Sequence, residues 1–445
     1  MTASKLQRIR RLLWLYFWLL IIEGALRKWI LPGLSNPLLL VRDPVALLAL
    51  WWGWPLLDQR RWRAWLQPLM LLGTMAFLLA ITVGHGDIPT ALFGARVLAL
   101  QLPLIFLYGA VFNRDDVIRF AWSLAWLSIP MTILIVAQSN LPSTHILNVA
   151  PGGEGTALFA GALDRSRPPG VFSFINGLAM FYSLAASSLF ILLYCTRVPF
   201  FQRPLLMVVA VALVVALPVS ISRSLLAGYF QVLAAVVAAV ALSRARLLPL
   251  LSGLVAILVA IGIATNLPAF QDTAAAFSAR WEMASAVESE SEDSSQFGQG
   301  LGVFGNRFLG GFTRPLSKLE QTPILGYGIG IGTNVGAKRL SGDLVFLVGE
   351  GAWEASLFEM GLILGLVFLF WRVSLACWML HLALRAAVRG NRLPLILAGT
   401  SFLLVFGGQL AQPTSLGFVV ISGGLTLAAL NPSRSLTVAR LASLP

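Results

Sequence analysis

The stretch VALPVSISRSLLAGYF, Val215 to Phe230, places Arg223 between two serines at the junction of two apolar runs. The runs on either side, near 204–221 and 224–242, are each long enough to cross the ~30 Å hydrocarbon core of a bilayer as a helix. A junction between two such runs lies on one side of a membrane or the other, and the meaning of Arg223 depends on which. The fold and the topology therefore come before the chemistry.

Working outward from this pair, the same pattern recurs from end to end. Of the 445 residues, 58% are hydrophobic and 11% charged, against roughly 25% charged in a soluble domain. Spans are expected near 12–30, 38–57, 66–83, 91–111, 117–138, 176–195, 204–221, 224–242, 247–264, 353–371, 393–409 and 414–430, with 372–388 left as an amphipathic segment on the cytoplasmic surface. The expectation is an all-α polytopic membrane protein of about twelve transmembrane helices. A β-barrel would instead show short alternating segments. The first run has no small-residue cleavage site behind it and is followed by Glu23, Arg27 and Lys28, which reads as a retained helix.

The two cysteines, Cys195 and Cys377, are far apart, and His85, His145 and His381 have no ligand spacing. Neither a disulfide framework nor a metal or cofactor site is expected. The net charge of +13 does not signal nucleic acid, because the basic residues come in twos and threes at helix ends rather than on one face. They follow the insertion rule for cytoplasmic loops. With the N-terminus inside, more than half of the 32 lysines and arginines fall in cytoplasmic loops: among them Lys5, Arg8, Arg61, Arg114, Arg203, Arg244, Arg372, Arg385, Arg389 and Arg434. The C-terminus then also faces the cytoplasm. Three regions result: an N-terminal helix bundle over 1–264, with an external loop at 139–175; a large external loop over 265–349; and C-terminal helices over 350–445. Within the large loop, ESESEDSSQ (Glu288–Gln296) has nothing apolar to bury.

On this topology several arginines stand on the external side, where insertion does not call for them: Arg42, Arg96, Arg165, Arg167 and Arg223. Arg96 is expected ~8 Å below the outer surface at 1.5 Å per helical residue. A charge at such a depth marks a function or a specific partner. Arg42 and Arg165 have acids beside them, Asp43 and Asp164, and pairing accounts for them equally well; Arg96 and Arg223 have no acid nearby in sequence. Guanidinium forks bind phosphate oxygens in bidentate fashion. Arg42, Arg96, Arg167 and Arg223 are the expected pyrophosphate ligands, with Ser222 and Ser224 as hydroxyl donors. After the large loop comes GEGAWEASLFEMGLILGL (Gly349–Leu366), in which Glu350, Glu354 and Glu359 enter an apolar run. Glu350 and then Glu354 are candidates for a general base, and structural pairing with the outer arginines is the alternative. The run GYGIGIGTN (Gly326–Asn334) lacks GxxxxGK[ST], so it is not a nucleotide loop. Its glycines, Gly328 and Gly330 among them, are expected to bring backbone close to a lipid headgroup or sugar.

Together these elements resemble the O-antigen ligase and O-antigen polymerase superfamily of bacterial surface-polysaccharide assembly. PILGYGIGIGTN is similar to that family's P-hydrophobic-x-G-x-G-x-G segment, and EGAWEASLFEMGLILGL to its H-N-x-x-L-x-x-L-x-E-x-G-x-x-G pattern, with Glu359 and Gly361 in register. SISRS looks like its external Ser/Arg element. EGALRKWILPGLSNPLLLVRDP resembles a segment of some polysaccharide polymerases. Glu350 and Gly351 stand where ligases carry His-Asn, which favours a polymerase over a ligase acting on lipid A. The resemblance implies a GT-C-like helical fold in the bacterial inner membrane. It also implies metal-independent, inverting transfer from a polyprenyl-pyrophosphate-linked glycan donor to a glycan acceptor. Two other classes remain open: a transporter or flippase of lipid-linked oligosaccharides, and a non-catalytic assembly protein.

Overall fold

The computed structural model describes residues 3–153, 159–162, 165–243, 310–313, 315–317, 319–342, 347–349 and 351–433, with isolated positions between 259 and 279. Most of the expected span 247–264, the tract Glu288–Gln296 and Glu350 lie outside the described residues.

The chain is helical. In order come α1 (Ala3–Ala25), α2 (Asp43–Leu57), α3 (Arg60–Thr82), α4 (Ile88–Arg96), α5 (Pro103–Val111), α6 (Arg114–Asn140), α7 (Ile175–Cys195), α8 (Arg203–Ser220) and α9 (Arg223–Leu242), then α10 (Asn334–Ser341), α11 (Ala352–Val388), α12 (Leu393–Gly407) and α13 (Pro413–Ala428). A short antiparallel hairpin, β1 (Phe159–Ala162) with β2 (Arg165–Arg167), lies between α6 and α7. Seven of the described helices are long and apolar enough to cross a membrane, α4 and α5 counting as one through the π-turn Val97–Gln101. Of the expected spans, α12 and α13 are shorter apolar helices. The second expected span shrinks to the 15 residues of α2 behind two 3-10 turns.

Local sequence sets the boundaries. Asn113 and Asp116 form a reciprocal capping box at the start of α6, satisfying donors that a helix start leaves orphaned. Asp87 caps α4 through the Thr90 amide, and Ser222 caps α9 through that of Leu225. Proline occupies the first turn of α2, α5, α8, α12 and α13, where no amide partner is lost.

One end of the bundle is tied by basic and amide side chains. Arg10 donates to the Val111 carbonyl (2.9 Å), Arg114 to that of Cys195 (2.7 Å), and Asn431 to those of Gly109 and Phe112 (both 2.7 Å). We call this the basic end; the first turns of α1 and the last turn of α13 both lie there. Helices also approach closely at small residues, as polar-poor interfaces require. A Cβ on Gly424 would lie 2.4 Å from that of Tyr108, and one on Gly109 2.7 Å from that of Leu427. Hydroxyl pairs bridge helices at Ser187–Thr400, Thr132–Tyr182 and Ser401–Thr426. Among the described residues the main apolar core runs from Ile9 to Ala429, so the C-terminal helices are built into the N-terminal bundle rather than standing beside it.

Two departures from simple spanning helices shape the opposite end. The first is in α11, where Gly361 adopts φ 80°, ψ 174°, a conformation open to glycine alone. Here the helix doubles back: a Cβ on Gly365 would lie 3.0 Å from the Leu357 Cα, and Trp353 and Leu357 pack on Leu369. The arm Ala352–Met360 thus lies against the arm that begins at Leu362. The second arm runs unbroken to Val388, with Leu375, Ala376, Met379, Ala383 and Ala387 buried. The segment 372–388 is therefore part of a packed helix and not a surface strip. The second departure is length. At 1.5 Å per residue, α12 and α13 rise ~22–24 Å, short of ~30 Å. Their connection begins at Gly408 and Gln409, which border a recess.

Candidate functional site

Beside this recess lies a buried charge network. Arg42, 3% exposed, donates to Glu23 Oε2 (2.9 Å) and to the Pro413 carbonyl (2.7 Å) at the start of α13. Arg96 pairs with Asp43 (2.6 Å) and stacks on Phe93. Gln101 donates to the other oxygen of Asp43 and accepts from Tyr16. Arg27 adds Nη1 at 3.7 Å from Glu23 and donates to Ser173 Oγ and the Ser35 carbonyl. Lys28, 2% exposed, donates to the Gly170 carbonyl (3.1 Å). The π-turns Leu26–Ile30 and Val97–Gln101 contribute Arg27, Lys28 and Gln101, the kind of helix defect that marks functional positions.

Arg42 and Arg96 thus come together, joined through neighbouring residues Arg42 and Asp43. Each engages a carboxylate, and neither is a free pair of phosphate donors. Asp43 serves Arg96, 53 residues away, and the partner of Arg42 is Glu23, so the pairing suggested by adjacency is exchanged. Arg167 ends β2, opposite Phe159, and is half-buried. It precedes the turn whose Gly170 carbonyl holds Lys28 and Gln138, on the same side as the network. Arg223 is the first residue of α9, half-buried, between the capping Ser222 and Ser224. Ile221 before it has φ 45°, left-handed, which turns the chain sharply between α8 and α9.

The recess holds a cavity of about 300 Å³, formed by the first turns of α7 and α9, the end of α12 and Phe312. Its polar lining is Asn176, Ser183, Ser224, Gln231, Thr400 and Gln409. Of these only Ser224 was expected from sequence. The others lie in apolar runs where a lone amide or hydroxyl carries no local signal. The floor of the cavity, Leu404 to Gly408, is held from behind by Arg372, which donates to the carbonyls of Val405 (3.0 Å) and Gly408 (2.8 Å). Arg372 is 2% exposed. It stands at the opposite end of α12 from Arg392, which corrects its assignment to a cytoplasmic loop. It completes the orphan carbonyls of a helix that ends inside the protein.

The glycine run has a structural reason for its composition. Gly326, Gly328 and Gly330 all have positive φ. A Cβ on Gly330 would lie 2.1 Å from the Thr90 carbonyl oxygen, and one on Gly328 2.7 Å from the His85 ring. The close approach is to α4 and the end of α3, not to an open surface that would meet a headgroup. Glu359, near the end of the first arm of α11, accepts from the Gly332 amide (2.7 Å), and its carbonyl accepts from Gly328. Glu354 is the third residue of that arm, with its carboxylate against Gly349 and Gly351, as suits an acid in a first helical turn. Trp353 beside it packs edge-on against Phe312 and donates to the Phe406 carbonyl, which places the first turn of α11 next to the cavity wall. Outside the spans, Arg339 of α10 clasps Asp87 with two hydrogen bonds of 2.9 Å. Those bonds, and that of Thr90, hold the Asp87 carboxyl well below the usual carboxylate range. Among the described residues no group of three His, Cys, Asp or Glu side chains is placed to hold a metal.

In comparison with known proteins, no family model matches the chain, and no curated protein matches it in sequence.

Proposed function

We propose that the protein is a membrane glycosyltransferase that extends or transfers a glycan carried on a polyprenyl pyrophosphate, at the end of the bundle opposite the basic end. The observation that carries this reading is the recess bordered by Gly408 and Gln409. It is a cavity with six polar side chains in its lining, Ser224 among them, next to Arg223 in the chain, and Glu354 follows Trp353, which packs on the cavity-lining Phe312. In the reaction the acceptor hydroxyl attacks the anomeric carbon and the bond to the diphosphate oxygen breaks. The electron pair leaves on the lipid diphosphate, and the hydroxyl proton passes to a carboxylate. Arg223 and Arg167 are assigned to the charge that grows on the leaving group, where fixed donors act more strongly on the transition state than on the ground state. Glu354 is the described candidate for the base. Arg42 and Arg96, engaged by Glu23 and Asp43, shape the field of the site rather than grip the phosphate.

The test is incubation of the purified protein with synthetic polyprenyl-pyrophosphate glycans, with mass spectrometry of the products. Longer glycans and released polyprenyl diphosphate are expected. Arg223→Ala should cost about a hundredfold in rate, ~3 kcal/mol, without loss of folded protein. One feature favours a flippase instead: Arg372, a cation buried within a span, as transport pathways use. Movement of the lipid-linked glycan across vesicles, with its size unchanged, would support that reading and remove the enzymatic one.

A further inference from the structure

A second pocket, of about 420 Å³, lies at the basic end between the start of α3, the last turns of α11 and the end of α13. Arg61, Arg385, Arg389 and Asn391 line it, with Leu382 and Leu430 as an apolar wall. Its volume falls in the range of small-molecule sites, roughly 300–1,000 Å³. Arg385 and Arg389 are four residues apart, so they share a face of α11. Like charges at that spacing destabilise a helix by themselves. The negative end of the helix dipole offsets part of this, but it does not account for Arg61, which arrives from another helix. Nearby acids are already taken: Asp58 by Arg63 (2.6 Å) and Asp116 by Arg10 (3.2 Å). Among the described residues, no ion pair involves Arg61, Arg385 or Arg389.

The pocket is also fixed in place. The Arg61 guanidinium sits 4.4 Å from the Trp62 ring centroid and 5.7 Å from that of Trp378. The Asn391 amide donates to the Ala429 carbonyl, and its oxygen accepts from Arg114. Three guanidinium forks around one opening, that of Arg61 held by its tryptophan contacts, suit the several oxygens of a phosphate, and basic pockets between membrane helices recognise anionic headgroups.

We propose that the Arg61–Arg385–Arg389 pocket binds a phosphate-bearing anion, supplied either by a phospholipid headgroup or by a soluble phosphate. The full chain, purified and stripped of lipid, is offered phosphatidylglycerol against phosphatidylcholine and scored by native mass spectrometry. In a second arm, inorganic pyrophosphate is titrated calorimetrically. The triple variant Arg61→Gln, Arg385→Gln, Arg389→Gln is expected to lose at least tenfold in one arm. A control with the same loss of charge on exposed positions of the same end, Arg8→Gln, Arg11→Gln, Arg119→Gln, should stay within twofold. Loss in the lipid arm identifies a headgroup, and loss in the pyrophosphate arm a soluble ligand. Equal losses in the two triples, or no loss in either arm, overturns the proposal. If the glutamine triple does not fold, the corresponding lysine triple decides. It keeps the charge but lacks the fork, so it should bind at least threefold more weakly, and binding equal to wild type refutes the site.

Discussion

Glu23→Gln is the substitution most revealing of how the buried network is balanced. Glu23 is 3% exposed and is the anion facing two guanidiniums, Arg42 at 2.9 Å and Arg27 at 3.7 Å. The remaining acid of the network, Asp43, is engaged by Arg96 at 2.6 Å and by Gln101, so it cannot take over. Glutamine keeps the size of the side chain but leaves Arg42 and Arg27 as buried cations with only neutral acceptors. Breaking a buried pair from one side costs about 3–5 kcal/mol. Arg42→Met should cost less, because Glu23 still has Arg27. The double variant Glu23→Gln, Arg42→Met should be less destabilised than the sum of its parts, by roughly 2–3 kcal/mol, as expected for contacting residues. Tryptophan fluorescence across a denaturing-detergent titration measures all three. A Glu23→Gln protein that unfolds with wild type, or an additive double variant, would refute the claim that the network is an electrostatic unit.

Other outcomes follow from the same geometry. Gly361→Ala puts a Cβ 2.4 Å from the Ile324 carbonyl oxygen at a φ of 80°. It should destabilise by at least ~1–3 kcal/mol and loosen the Pro323–Gly328 segment, read as faster hydrogen exchange there. Ser222→Ala removes the cap of α9 and should cost about 1 kcal/mol in the same detergent titration. For the Asp87–Arg339 clasp, the folded carboxyl titrates below its unfolded value of about 4. Its stabilising effect is therefore complete above pH ~4 and is lost as the pH falls through the depressed value. Asp87→Asn should accelerate exchange of α10 amides at pH 7, and that difference from wild type should close only in acid well below pH ~4, as Asp87 becomes protonated; a difference already lost at pH ~4 would contradict it.

Much of the helical architecture was legible because it rests on local apolar runs. Starts expected at 176, 204 and 224 fall one residue from Ile175, Arg203 and Arg223. The fold-back in α11 was not legible. Its apolar run has the length of one span, and Gly361 looks no different in sequence from Gly365, which merely permits packing. Nor was the ion pairing, because the partners of Arg42 and Arg96 lie 19 and 53 residues away and adjacency pointed to the wrong acid. The glycine run announced close backbone approach, but only the tertiary structure says that the surface approached is α4. The cavity amides stayed hidden for a related reason. A single Asn176 or Gln231 in an apolar helix gains meaning only from what faces it.

Of the arginines singled out from sequence, Arg42 and Arg96 meet in one network, yet both are held by protein carboxylates. That does not remove their influence on an anion. The network brings Arg27, Arg42 and Arg96 to two acids, Glu23 and Asp43, with Lys28 buried next to Arg27. It therefore carries a formal excess of positive charge. In water such an excess would be screened within ~8–10 Å. Among buried groups the effective dielectric is nearer 20 than 80, so the field persists into the recess beyond Pro413. A ligand diphosphate held there by Arg223 would interact with that field without touching the network. Neutralising one cation should then weaken the diphosphate of a lipid donor more than a neutral acceptor, a difference that contact with the arginines is not needed to explain.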